Sequence, residues 1–299
     1  MPYTEDEIRA FDGLRLYLRR REAEGARGEV IVAHGFGEHS GRYGPLIDHL
    51  ISRGYSVTAY DHRGHGQSEG LPGHVDRFFD YEADLGKVIS HTKSRYDPAK
   101  LFLIGHSMGG LVTLRYLAQS SSALLKAYAA KSKSGSLVNP NPLDRIAGAV
   151  ISAPLLALAV QAPSHKLLIA RIAALVAPRM RMDNEINPSV LSRDPEVGRA
   201  YAADPLVHRL VSARWFAEAT RAMDEVIQQA EKITLPILVM HGTADKLASV
   251  EATISFCDKL GSADKEIVIY PNFYHELFNE PEKDEIYNRV SAWLDTHNH

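Results

Sequence analysis

A single cysteine, Cys257, occurs in 299 residues, so no disulfide can form within the chain and a hydrophobic core must stabilise it. Neither sign of charge prevails. Lys and Arg number 34 against 37 Asp and Glu, a formal charge of −3, which lacks the basic excess of a nucleic-acid binder. Long apolar runs are missing too: the stretches at 149–160 and 167–178 are too short to span a bilayer and are broken by Pro154 and Arg171. The acidic start, Met1-Pro-Tyr-Thr-Glu-Asp-Glu7, has no apolar segment of the secretory kind, so a cytoplasmic protein is expected. What is present, 45% hydrophobic and 24% charged residues, is the make-up of a packed globular chain with room for one large α/β domain or two smaller ones.

Short apolar runs alternate with helical patterns along most of the chain. Residues 7–11 and 14–18 alternate apolar and polar side chains around Asp12-Gly13, a strong hairpin turn, and predict an exposed antiparallel edge. Six further runs, at 30–33, 56–60, 101–104, 146–151, 236–240 and 266–270, are nearly continuous in apolar residues, as strands covered on both faces of a parallel sheet require. Helical patterns at 81–94, 111–119, 248–259 and 281–294 separate them, which predicts an eight-stranded, mostly parallel sheet with helices on both sides. Two stretches break the rhythm. Residues 119–145, rich in Ser and Lys, far exceed the usual helix-to-strand connection and read as a surface insertion. Residues 154–215 show helical apolar segments and no convincing strand, so a helical cap inserted after the sixth strand is expected, with 1–153 and 216–299 forming the core.

In an open parallel sheet, reactive groups gather where strands end and helices begin. The run at 101–104 leads into Gly105-His-Ser-Met-Gly-Gly110 and then a helix. Gly-x-Ser-x-Gly in that setting is a nucleophile elbow, a sharp turn that lifts the Ser107 hydroxyl above the sheet. A serine hydroxyl needs a base, and the base a carboxylate to orient it. Asp245 closes His241-Gly-Thr-Ala-Asp245 just past one strand, and His275 closes Pro271-Asn-Phe-Tyr-His275 past the next. Three such residues in the order Ser, Asp, His, each at a strand end, are hard to attribute to chance. Alternation along the strand turns His106 away from Ser107, and His34 and His241 read as packed residues rather than bases. Backbone N–H groups for a developing oxyanion are expected from Met108, at the helix start, and from Phe36 in the glycine-bounded loop after the third strand. Two histidines on the glycine-rich loop 61–68 are too few for a metal site, so neither metal nor other cofactor is expected.

His34-Gly-Phe-Gly-Glu-His-Ser-Gly-Arg-Tyr43, Asp61-His-Arg-Gly-His-Gly-Gln-Ser68, the elbow and the Asp245/His275 pair together closely resemble the monoacylglycerol lipases of the α/β-hydrolase superfamily. The resemblance spans nearly the whole chain apart from the insertion. It implies a serine ester hydrolase with Ser107, Asp245 and His275 as triad and Phe36 and Met108 as oxyanion hole. It also implies a glycerol-binding role for Glu38 and Arg42, for which a salt bridge bracing the loop is the alternative, and for Tyr201. One position departs: Phe278, itself a candidate substrate contact, stands where mammalian members carry a further histidine, which argues against an identical polar clamp and leaves room for other alcohol leaving groups. Lysophospholipase or broad carboxylesterase activity is the competing enzymatic reading, and a binding protein on a hydrolase scaffold the non-enzymatic one. The apolar segment 165–177 with its basic residues suits both an acyl tunnel and transient contact with a membrane surface. The sequence leaves the oligomeric state open.

Overall fold

The computed structural model describes residues 2–119, 143–160 and 172–298. Strands β1 (Thr4–Arg9) and β2 (Arg15–Arg21) form the antiparallel hairpin, turning through Gly13 at φ +88°. There follow β3 (Gly28–Ala33), α1 (Gly44–Ser52), β4 (Tyr55–Tyr60), α2 (Phe79–Tyr96), β5 (Leu101–His106), α3 (Met108–Gln119) and β6 (Ile146–Ser152). Next come β7 (Arg181–Asp183), α4 (Pro195–Ala203), β8 (Leu210–Ser212) and α5 (Ala213–Gln228). The chain then completes the sheet with β9 (Ile237–Gly242), α6 (Val250–Lys259), β10 (Lys265–Tyr270) and α7 (Lys283–His297). The main sheet has eight strands in the order β1-β2-β4-β3-β5-β6-β9-β10. From β4 to β10 every pairing is parallel, and β2 joins β4 antiparallel. This is the α/β-hydrolase architecture.

Strand periodicity distributes the core. Ile31, Leu103 and Val239 enter one cluster with Leu85 of α2, Leu111 of α3, Ala222 of α5 and Phe256 of α6. Their neighbours Val32, Ile104 and Met240 enter the other, with Leu46 of α1 and Trp293 of α7. Successive side chains point to opposite faces, so a central strand must be apolar at every position. The strand β10 departs from that expectation. It pairs only with β9 and leaves Ile267 39% exposed, because it is the far edge of the sheet.

The segment between β6 and β9 also differs from a purely helical cap. Its strands β7 and β8 pair antiparallel over three residues each, Arg181 opposite Ser212 and Asp183 opposite Leu210. Segments that short, with Met182 exposed, leave no readable alternation. Nor does the chain break at residue 215: the Ser212 hydroxyl accepts from the Trp215 N–H and starts α5, which runs unbroken to Gln228. Residues 120–142 of the surface insertion and most of the apolar helix expected at 165–177 lie outside the described residues. Among the described residues, no helix is long and apolar enough to cross a membrane.

Candidate active site

The chain passes from β5 to α3 through Ser107 alone, which takes φ +52°, a left-handed conformation that non-glycine residues adopt only under constraint. Backbone bonds supply the constraint. Ser107 N–H donates to Ser152 O at 3.0 Å, and Ser107 O accepts from Leu111 N–H at 3.0 Å and Leu155 N–H at 3.1 Å. The flanking glycines are a steric necessity. A Cβ on Gly109 would lie 2.1 Å from Ala33 O, and one on Gly105 would lie 2.6 Å from Gly109 O. Strand and helix therefore cross closely enough to present Ser107 at the sheet's carboxyl edge.

Asp245 and His275 arrive on the loops after β9 and β10. The His275 Nδ1–H donates to Asp245 Oδ2 at 2.7 Å. The Asp245 side chain is buried and fully engaged: Oδ1 accepts from Leu247 N–H at 2.7 Å and Ala248 N–H at 3.0 Å, and His241 Nε2 lies 3.0 Å from Oδ2. Burial would raise the Asp245 pKa, but the attraction of His275 and the hydrogen bonds from both histidines hold it well below the usual carboxylate range. Burial likewise would lower the His275 pKa, and the Asp245 carboxylate more than reverses this, leaving it raised above its ordinary value. His241 thus belongs to the carboxylate's surroundings, with Nδ1 fixed on the Thr253 hydroxyl at 2.9 Å.

Ser107 and His275 lie on the wall of one cavity of about 290 Å3 without a hydrogen bond between them, an arrangement common before substrate closes the site. Phe36, Glu38, Tyr201 and Glu276 share that wall, with Leu155 and Phe216 among its apolar members. Met108 opens α3, so its N–H is one of those at a helix start that find no acceptor within the helix. Phe36 sits in the loop after β3, its ring wedged against Trp215 at 4.0 Å between centroids and His208 at 5.5 Å. The loop presses on Ser107: a Cβ on Gly35 would stand 3.3 Å from Ser107 Cβ. His34 anchors it from below, donating from Nδ1 to Gly35 O at 2.7 Å and accepting at Nε2 from His62 N–H at 3.0 Å.

His106 does not turn away, because the elbow interrupts the strand's alternation. It lines the cavity and its ring lies 4.8 Å from that of His275. Burial and the adjacent His275 push its pKa down to about 4, so it is a neutral neighbour. Phe278 requires a correction as a head-group contact: it is buried in the core behind His106 and against Tyr43, and does not form the wall. Arg42 is likewise behind the wall. Its Nη1 reaches Glu38 Oε2 at 2.6 Å, while Nη1 and Nη2 grip Glu276 Oε1 and Oε2 at 2.7 and 2.8 Å. Glu38 Oε1 accepts from Gly35 N–H at 2.6 Å and the Tyr43 hydroxyl at 2.7 Å. Burial opposes its ionisation, yet Arg42, His106 and His34 bring the Glu38 pKa down to about 2. The salt-bridge reading of Glu38 and Arg42 therefore describes their contacts. Glu276, missed in the sequence, had one signal there: it is the residue after His275.

A family model described as serine aminopeptidase, S33, matches residues 24–132 and 134–282. A monoacylglycerol lipase of Mycolicibacterium smegmatis is 31% identical over 272 residues, 91% of this chain and 89% of that protein. Phospholipase YtpA of Bacillus subtilis is 29% identical over 89% of this chain and 94% of its own. The crystal structure of a monoacylglycerol lipase from Paleococcus ferrophilus superposes with a TM-score of 0.80 at 32% identity, covering 94% of this chain and 99% of that one.

Proposed function

The chain belongs to the serine aminopeptidase S33 family of α/β-hydrolases, and on that premise we propose that it cleaves monoacylglycerols to fatty acid and glycerol through an acyl-enzyme on Ser107. The observation that carries the reading is one cavity lined by Ser107 and the Asp245-oriented His275 together with apolar side chains and the carboxylates of Glu38 and Glu276. His275 Nε2 takes the Ser107 proton as Oγ attacks the ester carbonyl. The oxyanion is held by the Phe36 and Met108 N–H groups, and the collapsing intermediate expels glycerol, which receives its proton from His275. Water, deprotonated by the same imidazole, then releases the fatty acid and restores Ser107.

The polar wall argues for the head group. Glu38 and Glu276 carry two negative charges around the single positive charge of Arg42, with Tyr201 beside them, its ring 5.0 Å from the guanidinium carbon. A glycerol moiety can hydrogen-bond to that wall, whereas a phosphate would meet the lining carboxylates Glu38, Glu185 and Glu276, which outnumber Lys246 on the wall and Arg42 behind it. Leu155 and Phe216 suit an acyl chain, and each buried methylene adds roughly 0.8 kcal/mol of binding. In a panel of soluble substrates, kcat/KM should rise from short to medium and long acyl chains. Monoacylglycerols should exceed lysophosphatidic acids by at least about tenfold, the ratio that 1.4 kcal/mol of repulsion would produce. A maximum at acetyl esters, or equal turnover of the phosphorylated lipid, would contradict the assignment.

We further propose that residues 154–215 act as a cap whose apolar side meets lipid surfaces transiently in a cytoplasmic protein. Val160, Leu175 and Val176 are each about three-quarters exposed and support this. Replacing Leu175 and Val176 together with aspartate should reduce co-sedimentation with phosphatidylcholine vesicles while leaving hydrolysis of a soluble short-chain ester intact. No difference in vesicle binding between wild type and the double variant would dismiss the contact.

A further inference from the structure

We propose that Glu276 is a positioning residue, which through Arg42 clamps the loop carrying His275 to the loop carrying the Phe36 N–H. The proposal rests on the serine-hydrolase reading above and adds to it the device that sets the distance between base and oxyanion donor. Three consecutive side-chain contacts make the connection. Glu276 directly follows His275 in the chain; both its oxygens are taken by Arg42, at 2.7 and 2.8 Å. Arg42 passes the connection to Glu38 at 2.6 Å, and Glu38 to the Gly35 N–H at 2.6 Å, one residue before Phe36. A fork-on-fork contact fixes orientation as well as distance, which a single hydrogen bond does not. Every member is nearly buried, with side-chain exposures of 10% for Arg42, 5% for Glu276 and 4% for Glu38, so water does not compete for the contacts.

Two further contacts keep Glu276 from swinging free. Its N–H donates to Leu191 O at 2.8 Å, and Asn279 Nδ2 donates to Oε2 at 2.8 Å. Stability alone is a weak reason for such a buried network, since apolar side chains often replace buried ion pairs without loss. Its placement is informative instead: each end adjoins a group that must act on the same reacting ester, His275 on the Ser107 proton and the Phe36 N–H on the carbonyl oxygen. The charge also reaches the base. The ionisable groups facing His275 are Asp245 from the loop after β9, Glu38 from the loop after β3, Glu276 beside it and His106 from β5. Asp245, Glu276 and Glu38 all favour its protonated form, so neutralising Glu276 should lower the His275 pKa.

The test compares full-length wild type with Glu276→Gln and Arg42→Lys. It measures kcat and KM for a soluble monoacylglycerol from pH 5 to 9, the rate of fluorophosphonate labelling and thermal unfolding. Because displacements near 1 Å at a reacting centre cost up to 100-fold, Glu276→Gln should lower kcat and the labelling rate by about 10- to 100-fold, with KM within about threefold. Its acid limb should also move to lower pH. Arg42→Lys keeps the positive charge but not the fork; it should show a similar kcat loss without that downward movement. Kcat within about twofold of wild type in both variants, or a loss confined to KM, would overturn the proposal, as would a kcat loss in Glu276→Gln with an unmoved acid limb. If Glu276→Gln does not fold, Arg42→Lys decides by the same kcat, KM and labelling criteria. A wild type that neither labels nor hydrolyses esters would instead overturn the parent reading, and the clamp with it.

Discussion

Replacing Ser107 with alanine is expected to lower kcat for ester cleavage by about a million-fold and to abolish fluorophosphonate labelling while the fold persists. The fold should persist because the elbow is held through the backbone of residue 107, by its bonds to Ser152, Leu111 and Leu155, none of which involves the hydroxyl. Ser107→Gly separates strain from chemistry. A side chain at φ +52° costs on the order of 1–2 kcal/mol that glycine does not incur, partly offset by glycine's freer unfolded chain. The glycine variant should therefore be equally inactive yet more stable than wild type by about 1 kcal/mol in urea denaturation. Labelling that survives either substitution would place the nucleophile elsewhere. A glycine variant less stable than wild type would mean that the turn carries no stored strain.

The parts of this site that were readable in the sequence are those the chemistry confines to a few adjacent residues. The elbow needs glycines two residues on either side of the nucleophile, and the clash of a Gly109 Cβ with Ala33 O shows why no other residue serves. Asp245 and His275 follow apolar runs whose strand character is unmistakable, so their place at the sheet's carboxyl edge could be inferred without coordinates. The eight strands were legible for the same reason. Contacts between distant segments were not. Arg42 and Glu276 are 234 residues apart, and nothing in either neighbourhood announces the other. Helix α3 begins at Met108, as the elbow motif indicates, although its apolar pattern starts three residues later, because Gly109 and Gly110 are poor helix formers retained for close packing against Ala33 and Pro154. Phe278 occupies a position that the family resemblance marks as part of the head-group site. A phenyl ring there gains more from the core beside Tyr43 and His106 than from a polar wall.

Asp245→Asn is the second large effect, expected at about 10,000-fold in kcat with only modest loss of stability at neutral pH, and its cause is a tautomer. The two oxygens of Asp245 have different duties. Oδ1 accepts two backbone N–H groups, from Leu247 and Ala248, so an asparagine must keep its carbonyl oxygen there. Its NH2 then occupies the place of Oδ2, facing His275 Nδ1 and His241 Nε2. To accept from that NH2, His275 must carry its proton on Nε2, and an Nε2–H cannot take the Ser107 proton. Loss of the carboxylate also removes what holds the His275 pKa up, so burial prevails and it falls. The acid limb of kcat/KM, which in wild type should lie above the ordinary histidine value of 6.5, should move to lower pH in the variant. Stability follows with the opposite signs for the two partners. The raised His275 pKa contributes stability in full below 6.5 and loses it as pH rises through the folded value. The depressed Asp245 pKa contributes above 3.8 and loses it as pH falls toward its folded value. Wild type should thus exceed the variant in stability most between about pH 4 and 6.5 and less at pH 8, as urea denaturation at each pH would measure. A stability gap that widens with alkalinity, or an active asparagine variant with an unmoved acid limb, would break the link between Asp245 and the charge on His275.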